Sequence, residues 1–393
     1  MKLQVFALMV LLTVACVEGS VDTAWEVERD VAGDTTTVHT LGGQVWPSAV
    51  ELREDLAIGA LDGPAPLVFG EVSRLADDHR GGIYVFDRQV PDIRHFDRTG
   101  EFVGTIGRAG DGPGEYEALS LGMVVDAAGV LYVHAWGNRS IVRFAEDGSP
   151  LEQWVYDFPF LTTRPGTWLY SDAPGRVLVT AQVNGEEALV VLDDRQVIDT
   201  LVVPWLPGVP EERGGPYSVE KYWGWHRDGY FVVGVSDEYS LEAHRADGVL
   251  RIRRDVEELP VHPDEADAMR RSFEWMARRP RYRPPEGEWV PSTMPPFRGI
   301  SVARDGRIWV RRNTHPIEVP VEARPGGPPP VGFTQPYLYD VFEADGAYLG
   351  EIRFPQDFEP YLFEEGYVWG VRRGPLEEQY VVRLSMVVGG ASP

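Results

Sequence analysis

Short apolar runs recur along the chain, each introduced by a glycine that closes a polar turn: GGIYV from Gly81, GVLYV from Gly129, GRVLV from Gly175, GYFVV from Gly229, GRIWV from Gly306 and GYVWG from Gly366. Apolar runs of this length between turn residues predict strands. Recurrence at about 40–50 residues per unit, with several short strands in each, predicts the blades of a β-propeller. The second unit displays the grammar: LGMVVD from Leu121, a turn at Asp126 to Gly129, LYVHAW, IVRFAE from Ile141, an acidic turn at Asp147-Gly148, then LEQWV from Leu151. Four strands make one blade. The acidic turn recurs as Asp97 to Gly100, Asp247-Gly248 and Asp345-Gly346, because Asp and Gly relieve the left-handed backbone of tight hairpins. In the third unit Asp193-Asp194 stands in for it without glycine, which weakens the case for that outer hairpin.

The sixth unit runs out after a third strand at about Met386, leaving a sheet edge that would invite aggregation. The segment ELREDLAIG from Glu51 can cover it. Its exit, Ile58-Gly59 then Asp62-Gly63-Pro64, echoes Ile106-Gly107 then Asp111-Gly112-Pro113 at the end of the first unit's fourth strand. The expected fold is therefore all-β: a six-bladed β-propeller over residues 41–393, closed by an N-terminal strand in the last blade. Within it, a helical insertion at about 259–298 emerges on one face. From Pro263 to Arg279 the apolar residues Ala266, Met269, Phe273 and Met276 fall at helical spacing, with Asp264 and Glu265 in the first turn and Pro280 as the stop. This helix is read as a lid over the channel mouth or a bracket across two blades, and its apolar stripe as packing surface.

Strand direction alternates within a blade, so the first and third connections share one face, which carries only tight turns. The opposite face carries every long segment: Arg108 to Ala118, Asp157 to Gly166, Val203 to Glu220, Leu259 to Arg298 and Asn313 to Gln335. One-sided loading points to a binding face. Candidate ligand contacts are the residues at the start of the innermost strands: Glu71, Ser120, Trp168, Lys221, Arg298 and Glu359. Lys221 is the sole lysine after residue 2.

Composition fits one large β domain, with 42 Gly and 32 Pro punctuating a chain that is 43% hydrophobic. The net charge of −24 becomes −25 without residues 1–16, as 36 basic residues then face 61 acidic ones. Such a chain repels a polyanion, and no basic stripe interleaved with aromatics is present, so nucleic acid is not an expected partner.

Residues 1–16 read as a targeting segment: Lys2, an apolar run from Leu3 to Val14, then Ala15 and the only cysteine, Cys16. Leu12-Thr13-Val14-Ala15-Cys16 resembles the bacterial lipoprotein signal, which implies lipidation of Cys16 and export to the cell envelope. Thr13 departs from the usual Leu. With one cysteine no intrachain disulfide forms. Polar, acidic residues 17–40 are expected to be a flexible tether, and the chain is expected to be a monomer.

The runs IRHFDRTGEFVGTIGRAGDGPGEY from Ile93 to Tyr116 and PPFRGISVARDGRIWVR from Pro295 to Arg311 resemble bacterial six-bladed β-propeller lipoproteins related to NHL repeats. That resemblance implies fold and location and little chemistry. The loop RAGDGPGEY is not a phosphate cradle, since it leads into a strand instead of a helix. Nor does it have the alternating oxygen ligands of a dedicated calcium site, and Glu115 is expected to bond to backbone. The eight histidines scatter, with only His262 and His315 on the loaded face; no tight metal-ligand spacing or G-x-S-x-G elbow occurs. No cofactor is therefore expected. The favoured expectation is a binding or scaffold propeller for a peptide, glycan or protein partner. The alternative is a lactonase-like metal-dependent hydrolase or a lyase, which requires at least three of Glu71, His262, Arg298, His315 and Glu359 to converge at a metal.

Overall fold

The computed structural model describes residues 24–116, 121–135, 140–156, 169–208, 215–279, 290–323 and 325–389. Cys16, Ser120 and Trp168 lie outside the described residues, as does the targeting segment.

Six antiparallel sheets follow one another along the chain. Blade one comprises Val72–Asp77, Ile83–Asp87, Asp92–Phe96 and Phe102–Ile106; blade two Leu121–Val125, Leu131–Ala135, Ser140–Phe144 and Trp154–Val155. Blade three comprises Leu169–Ala173, Arg176–Val183, Glu186–Asp193 and Gln196–Val202; blade four Lys221–His226, Tyr230–Val235, Ser240–Arg245 and Gly248–Arg254. Blade five comprises Phe297–Val302, Ile308–Arg312, Leu338–Phe342 and Tyr348–Arg353, and blade six Phe358–Glu364, Tyr367–Arg373 and Gln379–Val388. The N-terminal strand Val50–Ile58 pairs antiparallel with Gln379–Val388, from Val50 opposite Val388 to Ile58 opposite Val381. The ring is closed as the sequence predicted.

Second strands such as Ile83–Asp87 and Tyr230–Val235 are buried along their whole length because each blade is covered on both faces. That is why they read as unbroken apolar runs. Six apolar clusters fill the six interfaces between neighbouring blades, and a seventh lies under the helix. At the seam, Ile58, Val371 and Val381 of blade six pack with Val72, Leu75 and Ile83 of blade one, while Gln379 Oε1 accepts the Val72 N–H at 2.6 Å. Packing between blades, with no disulfide, holds the ring together.

Blade three's outer hairpin forms without glycine. Asp194 (φ 40°) and Arg195 (φ 71°) both take the left-handed backbone, which Asp tolerates better than most residues.

The tether expected over residues 17–40 is, where described, folded. Glu26–Ala32 and Thr35–Gly42 form a hairpin, and the second strand runs parallel to Gly248–Arg254, making blade four six-stranded. Val38 is fully buried in the cluster between blades four and five, which supplies the free energy that fixes an otherwise polar pair of strands. The exposed, charged outer strand Glu26–Ala32 blunts the sheet edge. No helix among the described residues is long and apolar enough to cross a membrane.

Candidate functional site

The helix spans Pro263–Ala277, with Pro263 at its first turn and His262 before it. Its buried residues are Glu265, Ala266, Ala268 and Ser272, so the buried face is rotated from the predicted Met269, Phe273 and Met276 stripe, which is only partly buried. Ala266 and Met269 pack on Tyr217, Leu259, Val261, Val290 and Met294. Beside the helix, on the loop-bearing face, a cavity of about 520 Å³ opens between blades four and five.

Its wall draws on five segments. Tyr217 holds a left-handed backbone (φ 60°), which costs a residue other than glycine about 1–2 kcal/mol. The conformation is held by the hydroxyl, which donates to Glu265 Oε1 at 2.6 Å and accepts from Gln335 Nε2 at 2.7 Å. Gln335 Oε1 accepts the Thr314 N–H at 3.2 Å and approaches Arg298 at 3.5 Å. Helix, blade-five loop and the approach to blade four thus meet at one phenol. Burial and the adjoining Glu265 carboxylate raise the Tyr217 hydroxyl well above its ordinary pKa.

Arg298 lines this cavity at its exposed rim, where partial desolvation and the neighbouring Arg311 guanidinium lower its pKa. Arg311 lies 4.2 Å from the ring centre of Tyr337, and burial together with the neighbouring Glu359 carboxylate raises the Tyr337 hydroxyl above its ordinary pKa. Tyr337 therefore places Glu359 and Arg298, two of the residues singled out from sequence, in one neighbourhood. The others are elsewhere. Lys221 pairs with Glu187 at 3.2 Å, an acceptor also used by the Trp223 indole N–H. Glu71 pairs with Arg88 at the exposed surface. His262 lies beside Asp264 and His315 is exposed. Among the described residues no three His, Cys, Asp or Glu side chains are grouped to hold a metal ion. Tyr217, Glu265, Arg311, Gln335 and Tyr337 had no sequence signal beyond their place in or next to long insertions.

The tight-turn face is not featureless either. A cavity of about 290 Å³ runs into the central channel there, lined by the innermost strands of all six blades. Asp77, His79, Arg304 and Glu364 gather at its mouth. The Arg304 guanidinium donates to His79 Nδ1, so Nε2 carries the ring proton and donates to the Val125 carbonyl at 2.8 Å. Asp77 accepts the His79 backbone N–H and the Tyr367 hydroxyl. Glu364 has no hydrogen-bond donor among the described residues. Burial and the nearby Asp77 push its carboxyl up to about 7.

This makes a testable statement about stability. In the unfolded chain the carboxyl titrates near 4.5, so between that pH and about 7 the folded state holds a proton that the unfolded state has released. Stability from this group is greatest below pH 4.5 and declines as pH rises through 7, by at most about 3 kcal/mol. Glu364→Gln is expected to flatten that decline and to raise the unfolding midpoint at pH 8. A midpoint that falls equally at every pH would contradict the assignment.

The DUF5128 family model, described as a 6-bladed beta-propeller, matches residues 61–173. No curated protein matches the chain in sequence. Among solved structures, a member of the DUF4221 family from Bacteroides vulgatus is 12% identical with a TM-score of 0.54, covering 87% of this chain and 99% of that one. A Bacteroides fragilis protein inferred to be exported gives 12% identity and a TM-score of 0.49 over 90% of this chain and 99% of that one. A gluconolactonase from Xanthomonas campestris gives 14% and 0.40 over 85% and 99%. The chain is a six-bladed β-propeller, in the arrangement shared with the Bacteroides vulgatus structure.

Proposed function

We propose that this chain is an exported binding propeller, lipid-anchored through Cys16, that holds a peptide, glycan or protein partner on its loop-bearing face. The observation that carries the reading is the cavity beside the helix, where three separate insertions converge on Tyr217 and present a mostly polar wall with aromatic rings. Long segments add contact surface around the cavity while the ring keeps it rigid. A backbone held in a strained conformation at Tyr217 fits a site kept in shape before its ligand arrives.

The test is a thermal-shift survey of the purified chain against sugars, peptides and divalent metals, repeated on Tyr217→Phe combined with Gln335→Ala. A ligand that raises the wild-type melting temperature is expected to lose most of its effect on the variant. A shift produced by a divalent ion alone would replace binding with metal-dependent chemistry as the working reading. Mass spectrometry of the membrane fraction, with Cys16→Ala as control, reads the anchor: the diacylglyceryl adduct should be present only with the cysteine.

A further inference from the structure

Two neighbouring arginines on one strand have opposite circumstances. Arg312 meets Asp340, which also takes Arg254, so its charge is compensated inside the protein. Arg311 faces the cavity beside the helix together with Arg298, and among the described residues neither has a carboxylate within ion-pair distance. Arg311 Nε is buried without an acceptor, and Asn313 Oδ1, in the same wall and 5% exposed, is buried without a donor. Glu265 Oε1 accepts from the Tyr217 hydroxyl, while its Oε2 is buried without a donor and is open to a ligand hydroxyl. The other carboxylate of the wall is Glu220, at the blade-four side. Arg298 is exposed at the cavity rim and Arg311 is half-buried, so two guanidinium groups with no carboxylate partner offer positive charge to an anion from outside, in a protein that carries −24 overall.

The geometry points to a carboxylate of an acidic sugar, clamped between Arg298 and Arg311 in the cavity beside the helix; this rests on the binding reading above. A planar guanidinium matches a carboxylate in two parallel hydrogen bonds, which lysine cannot do. The Tyr222 and Phe333 rings give flat apolar surfaces for the faces of a pyranose, and Asn313 Oδ1 offers an acceptor to its hydroxyls.

Isothermal titration with digalacturonate, its methyl diester and inorganic phosphate provides the test, on the wild-type chain and on R298Q and R311Q. Digalacturonate should bind at least about tenfold more tightly than the uncharged ester, and each variant should lose at least about tenfold with an unchanged unfolding midpoint. Affinity for the acid should also fall from 50 to 500 mM salt more steeply than for the ester. Equal binding of acid and ester, or variants that bind like wild type, removes the carboxylate clamp while leaving a glycan-binding face standing. Phosphate binding without digalacturonate binding removes the sugar acid. Failure of acid and ester together overturns the inference, and the wider survey of sugars and peptides then decides separately whether the binding face itself survives.

Discussion

Replacing Asp340 by alanine is expected to destabilise the ring by about 3–5 kcal/mol, the scale for removing one partner of a buried ion pair. The carboxylate is fully buried between blades four and five. It accepts the hydroxyls of Tyr239 at 2.6 Å and Tyr348 at 3.0 Å, and pairs with Arg254 at 2.8 Å and Arg312 at 3.3 Å. Alanine leaves two guanidinium groups and two phenols without their common acceptor, in a place where water does not replace it. In thermal unfolding the loss corresponds to roughly 5–10 °C. Asp340→Asn, which keeps an acceptor for the hydroxyls while losing the charge, should fall between. A loss below about 1 kcal/mol for the alanine variant would mean that the arginines find other partners and that the cluster is not a structural centre.

The second large effect concerns the seam. Truncation through Ile58 should leave a chain that aggregates or fails to fold, because it removes a whole strand from blade six, the burial of Ile58, and the ion pairs of Glu54 with Arg372 and Asp55 with Arg383. With hydrogen bonds at about 1 kcal/mol each and an isoleucine at about 1.5–3 kcal/mol, the loss is comparable to the whole stability of a domain. Truncation at Gly42 spares the ring and, of the described strands, removes the extra hairpin on blade four. That shorter deletion should elute as the full chain does, with a lowered midpoint, since Val38 leaves the core. Size-exclusion chromatography with unfolding curves distinguishes the two. A monomeric, cooperatively folded product of the longer deletion would show that Val50–Ile58 is dispensable.

The ring and its closure were legible because each blade repeats one pattern and because the segment before Gly59 carries the ending of a fourth strand. The hairpin at residues 26–42 was not, since EVERDVA and TTTVHTLG bury little beyond Val38 and Thr40 and so have the look of solvated chain. In hindsight the threonine run around a Gly33-Asp34 turn was the available strand signal. At the cavity, Arg298 and Glu359 could be placed because they begin inner strands. Arg311 sits at the end of a second strand, and Tyr217, Gln335 and Tyr337 arrive on or beside insertions whose paths no periodicity describes. Glu364 was missed for another reason: its altered titration comes from burial in the ring and from Asp77 of the neighbouring blade, a setting across the ring seam that linear sequence does not contain.

The pairing of Val50–Ile58 with Gln379–Val388 joins residues about 320 positions apart, as in the contact of Glu54 with Arg372. At ribosomal speeds of ~5–20 residues per second, the early strand waits roughly 15–65 s before its neighbour is even synthesised. Throughout that interval the open flank of this strand lacks its hydrogen-bonding partner and the Trp369 and Val381 side chains, although Ile58 already has Val72, Leu75 and Ile83 of blade one to pack on. A cell making this chain must keep that flank shielded until the last blade is available, so its yield is expected to depend on holdase chaperones more than that of proteins whose first elements fold with near neighbours.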